Sequence, residues 1–152
     1  MLIGNGILNI VETSILARVK ALAAGATLTL GYPVKAVLFD DYTFIETLPE
    51  QDLIGAWQVE AEVDEHLLSG TFLITVSTFK DEGCFRLRNL LSLIFDDMLP
   101  MTEFGLYQPD GTSVKGSIII MNGVKVLPVE KGEERPAKTI ALPFKCTRTL
   151  GL

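Results

Sequence analysis

Hydrophobic and polar positions alternate along this chain in two distinct periods, and the switches between them predict its elements. Leu8, Val11, Ile15, Val19 and Leu22 recur at helical spacing, with Glu12, Thr13 and Lys20 off that stripe. Asn5 is suited to cap this helix and Gly25 to end it. A short β segment is expected near Thr27 to Leu30, then a turn at Gly31-Tyr32-Pro33 and a strand from Val34 to Phe39. Residues 42–48 read as a further strand and Pro49 to Asp52 as a loop.

Strict alternation follows. Trp57, Val59, Ala61 and Val63 interleave with Gln58, Glu60, Glu62 and Asp64, the pattern of a sheet with one wet face. Trp57 is therefore expected to be largely buried. A connector at His66 to Gly70 leads to an antiparallel partner, Thr71 to Phe79, apolar on both faces and so central. A second helix is predicted from Glu82 to Leu99, with Leu87, Leu90, Leu91, Ile94 and Met98 as its buried stripe and Pro100 ending it.

The last third reads as a β-meander. Glu103 to Tyr107 precedes the turn Gln108-Pro109-Asp110-Gly111, and Val114 to Met121 meets the hairpin signal Asn122-Gly123 before Val124 to Val129 returns. Glu130 to Lys138 reads as an exposed charged loop. Ile140, Leu142, Phe144 and Cys146 alternate in a final strand, where Pro143 suggests an edge or a bulge. The fold class is α+β: a mainly antiparallel sheet with two helices packed on one face and a C-terminal β-meander, in one domain spanning residues 1–152.

Composition sharpens this picture. At 152 residues and 48% hydrophobic content the chain buries a sizeable core without a disulfide or metal staple. Mean hydropathy is +0.35, high for a soluble protein, so part of the apolar excess is expected at a subunit contact. The most apolar stretches are interrupted by charge, at Glu12, Arg18 and Lys20 and again at Arg88, Asp96 and Asp97, so no membrane span is expected. No signal-peptide pattern opens the chain. Two cysteines, Cys84 and Cys146, make no disulfide framework and suit a reducing compartment. A net charge of −6 disfavours binding to a phosphate backbone.

Candidate chemistry is sparse. Cys84 near a helix start, with His66 in the preceding connector, evokes a thiol nucleophile and its base, but no nucleophile signature surrounds it. The pairs Asp40-Asp41 and Asp96-Asp97 lack ligand spacing, because adjacent residues point apart. Glu60, Glu62 and Asp64 read as the wet face of a strand. No phosphate loop, dinucleotide fingerprint or zinc spacing occurs. The expectation is a non-enzyme without metal or cofactor.

The order of elements, with Ala56-Trp57-Gln58-Val59-Glu60-Ala61-Glu62-Val63 after a first helix and a Tyr32-Pro33 turn, resembles the tail terminator proteins of long-tailed bacteriophages. The resemblance spans most of the chain as an order of elements, without a diagnostic motif, and the C-terminal hairpins here are longer than the family's. It implies a virion subunit, assembled in the host cytoplasm, whose hexameric ring caps the tail tube. Its partners are then the tube and head-connector proteins, with DNA sliding through the lumen unbound. A neck position, a small ligand-binding module and a thiol enzyme using Cys84 stay open as alternatives.

A ring of one subunit needs heterologous contacts. Two protrusions suit them. One is the connector Asp64 to Gly70, which holds His66. The other is the loop Glu130 to Lys138, where Lys131, Arg135 and Lys138 alternate with Glu130, Glu133 and Glu134, flanked by Leu127, Val129 and Ile140.

Overall fold

The first helix runs past the glycine expected to end it. In the computed structural model, which describes residues 6–38, 51–64, 67–128, 130–131 and 135–147, α1 spans Ile7–Leu30. Gly25 costs such a helix about 1 kcal/mol relative to alanine, too little to break a run rich in Ala. The β-branched end holds because Thr27 Oγ1 donates to the Ala23 carbonyl at 3.0 Å and accepts the Val34 N–H at 3.0 Å. The segment 27–30 is therefore helical rather than β. Gly31, at φ 79°, closes the helix by donating its N–H to the Thr27 carbonyl. At the other end Gly6 occupies the cap position, and Asn5 lies outside the described residues. The buried stripe holds Val11, Ile15, Val19 and Leu22 as expected, whereas Leu8 is exposed.

Eight strands are described: β1 Val34–Leu38, β2 Asp52–Asp64, β3 Leu67–Ser77, β4 Glu103–Tyr107, β5 Ser113–Ile120, β6 Lys125–Val126, β7 Glu130–Lys131 and β8 Pro136–Cys146. They form one curled sheet in the order β1-β2-β3-β8-β5-β4, with β6 and β7 also pairing β8. All pairings are antiparallel except β1 with β2. The expected strand at 42–48 and the first half of the loop at 49–52 lie outside the described residues, and Asp52 opens β2 instead. The side chain of Trp57 also lies outside them.

The final strand is central. β8 lies between β3 and the meander, which corrects the edge position inferred from Pro143. That proline breaks no ladder bond because β5 has already ended at Ile120 and β6 starts only at Lys125. In between, the Met121 N–H donates to the Pro143 carbonyl at 2.8 Å. No N–H is needed from Pro143 in return.

Even-numbered residues of β3 and β8 face the core, among them Phe72, Ile74, Val76, Ile140, Leu142 and Phe144, all buried. The Phe72 and Phe144 rings meet at 5.6 Å between centroids, tilted by 56°. Both helices pack on this face. α1 touches β1 and β2 at one end of the strand order and β4 at the other, so the sheet curls around it. Buried Ser14 ties the β4 end down: its hydroxyl donates to the Ile10 carbonyl and accepts the Tyr107 N–H at 2.8 Å.

The second helix is shorter than predicted. A 3-10 turn at Glu82–Cys84 precedes α2, Phe85–Asp97. Leu87, Leu90, Ile94 and Met98 are buried and Leu91 half-buried, matching the expected stripe.

Candidate functional site

The β2–β3 hairpin is the more prominent of the two protrusions. Its strands run on to Asp64 and resume at Leu67, so the expected connector shrinks to residues 65–66, and His66 lies outside the described residues. Val63 and Leu67, next to the tip, are 60% and 43% exposed. Glu60 stands opposite Thr71 and Glu62 opposite Ser69, on the face away from the core, and both carboxylates are exposed. The pairing register shifts between Trp57 and Glu60. There the strands come so close that a methyl group at Gly70 would overlap the Glu60 carbonyl oxygen.

The charged loop is smaller than the sequence suggests. Glu130 and Lys131 form β7 against Ala137 and Pro136, and β8 begins at Pro136. Arg135 is engaged within the chain. Its Nη1 donates to Ser77 Oγ at 3.1 Å and its Nη2 to the Gln51 carbonyl at 2.8 Å, with the guanidinium 5.5 Å from the centre of the Phe79 ring. Burial lowers its pKa, against the opposing charge of Asp52. Arg135 thus fastens the loop to the sheet. Ile140 is wholly buried in the core, which corrects its assignment to a subunit contact. Lys138 is half-buried opposite Val76, and Leu127 is exposed while donating its N–H to the Thr139 carbonyl. Val129, Glu133, Glu134 and the side chain of Lys131 lie outside the described residues.

A charged network that the sequence reading missed joins the start of β2, the end of β3 and the start of α2. Buried Asp52 accepts Arg86 Nε at 3.0 Å, Arg86 Nη2 at 3.2 Å and the Phe79 N–H at 3.2 Å. Asp81 accepts the N–H groups of Arg86 and Leu87, at 3.2 and 2.8 Å, and the Thr78 hydroxyl at 2.9 Å, so it caps α2 from outside the helix. Desolvation pushes the Asp81 pKa up, but the bonds from Leu87, Arg86 and Thr78 outweigh it and leave the pKa below the usual carboxylate range. The bond to Asp52 raises the Arg86 pKa against desolvation. Tyr32 lies under the Arg86 guanidinium at 5.9 Å, and burial, then the Asp52 charge, raises its phenol pKa. These carboxylates are occupied by structural donors. The network's chemistry is that of a clamp, and its sequence signal was Thr78-x-x-Asp81 ahead of a helix.

Among the described residues the other candidates do not converge. Cys84 is half-buried, at φ 57°, and donates its N–H to the Asp81 carbonyl. Its imagined partner His66 and the pair Asp40-Asp41 lie outside the described residues, as does the side chain of Asp64. Asp96 and Asp97 are exposed at the end of α2. Among the described residues no group of three or more His, Cys, Asp or Glu is placed to hold a metal. No described helix is long and apolar enough to cross a membrane.

Comparison with known proteins places the fold. A solved structure at 11% identity, known by a serial designation alone, superposes with a TM-score of 0.65 over 94% of this chain and 98% of its own. That likeness is one of fold. No family model matches the chain, and no curated protein matches it.

Proposed function

We propose that this chain is a structural subunit of a long-tailed bacteriophage tail, of the terminator or neck type. In this reading, copies close into a six-membered ring that caps the tail tube and meets the head connector. The observation that carries the reading is the order of elements: a long first helix, a long β2–β3 hairpin, a second helix, then a meander. That order is the one on which the family resemblance rests. Two properties favour it further. The hairpin tip exposes Val63 and Leu67, apolar surface of the kind that subunit contacts cover. The net charge of −6 suits a channel through which DNA slides without sticking.

The test is incubation of the purified chain with preassembled phage tail tubes, followed by electron microscopy. A ring seated at one tube end, with further tube growth blocked, is the expected result. Tubes that stay bare and keep elongating at both ends would contradict the proposal.

A further inference from the structure

The outer face of the sheet carries an uncharged strip where a wet antiparallel face ordinarily carries charge. Thr71, Leu73, Thr75, Thr139, Ala141 and Pro143 occupy it on the adjacent strands β3 and β8, each half-buried by its own chain. The Thr75 and Thr139 hydroxyls bond each other at 2.8 Å, so covering them leaves neither without a partner.

Charge of opposite sign flanks the strip directly, with exposed Lys35 on β1 and exposed Glu103 on β4 farther out on the same face. Exposed Glu60 and Glu62 line the β2 margin, opposite Thr71 and Ser69. Exposed Lys145 stands on β8 opposite Ser69, and exposed Lys125 on β6 opposite Ala141. A neutral centre with a charged rim is the usual anatomy of a contact surface.

We propose that this outer face binds a second copy of the same chain, sheet against sheet. A two-fold axis lying between the faces, along the strands, sets the acidic margin of each copy over the basic margin of the other. The match is made twice, as an isologous contact requires. Sheets stacked in this way lie about 10 Å apart, within reach of Glu and Lys side chains. A chain of net charge −6 repels its own copies at long range, so the local match is what selects this face. The contact pairs two copies and does not depend on the ring reading.

The test uses the full chain in sedimentation velocity and native mass spectrometry, with the double variants Glu60→Lys/Glu62→Lys and Lys125→Glu/Lys145→Glu. All four side chains are exposed, so folding is expected to survive. The wild type should form a species of twice the 16.6 kDa chain, or a larger assembly built on that pair. Each variant alone should weaken it at least about 10-fold, and an equimolar mixture should restore a one-to-one pair. Ala141→Lys, in the neutral strip, should weaken it independently. A two-copy species lost in each variant and recovered in the mixture upholds the contact whether or not rings form. Pairing of two copies, or of two rings, that survives both double variants overturns the contact and leaves the ring reading standing. A wild type that stays monomeric overturns the contact and leaves the ring reading to the tube-end test.

Discussion

Asp52 and Arg86 meet across 34 residues of sequence through two side-chain bonds, Nε to Oδ2 at 3.0 Å and Nη2 to Oδ1 at 3.2 Å. The pair joins the first residue of β2 to the first turn of α2, and the Arg86 guanidinium also donates to the Phe79 carbonyl at 2.5 Å. One charge thereby sets three elements in register.

Arg86→Ala leaves a buried carboxylate with the Phe79 N–H as its one remaining donor among those described. Breaking a wholly buried pair costs roughly 3–5 kcal/mol. The Arg86 side chain is 36% exposed and Asp52 only 5%, so a smaller loss of about 2 kcal/mol is expected. Urea unfolding should show a lower midpoint at an unchanged slope, and Arg86→Lys should recover only part of it because an ammonium cannot make the paired contact.

Asp81 gives the fold a pH dependence with a definite sign. Its folded pKa lies below the unfolded value of about 3.9. The stabilisation is therefore present above that value and lost as pH falls through the folded pKa. Melting temperatures measured from pH 6 down to pH 2 should fall less steeply for Asp81→Asn than for the wild type. Parallel curves would rule out this carboxylate as a source of acid sensitivity.

Gly70 is fixed by contact, not by an unusual backbone angle. Gly70→Ala drives a methyl group into the Glu60 carbonyl, so the hairpin must open at its register shift. A destabilisation of about 2 kcal/mol is expected, together with faster amide exchange in residues 60–71 than in the Phe72–Ser77 half of β3.

The residues themselves explain which parts were legible from sequence. The stripe of α2 and the alternation of β8 were readable because a single buried face imposes one period, and the central place of β3 because both its faces are apolar. Pro143 misled because its cost depends on what lies across the ladder, here a turn that asks for no N–H. Gly25 misled because a glycine's penalty is small against the alanines around it, and Thr27 then anchors the last turn to Val34. Ile140 reads from sequence as loop-flanking surface but is core, because an alternating strand does not reveal where its neighbours end. Only the Thr78-x-x-Asp81 part of the network carries a local signal; Asp52 and Arg86 lie on β2 and α2, 34 residues apart, and only the fold brings them together.

Native mass spectrometry of the full chain at about 10 µM tests the central claim most directly, since a closed ring bonded subunit to subunit survives as one mass. The account predicts a closed ring of six 16.6 kDa chains, single or paired with a second ring, alone or on the tube end it caps. A chain that stays monomeric at that concentration, both alone and in the presence of tail tubes, would contradict it.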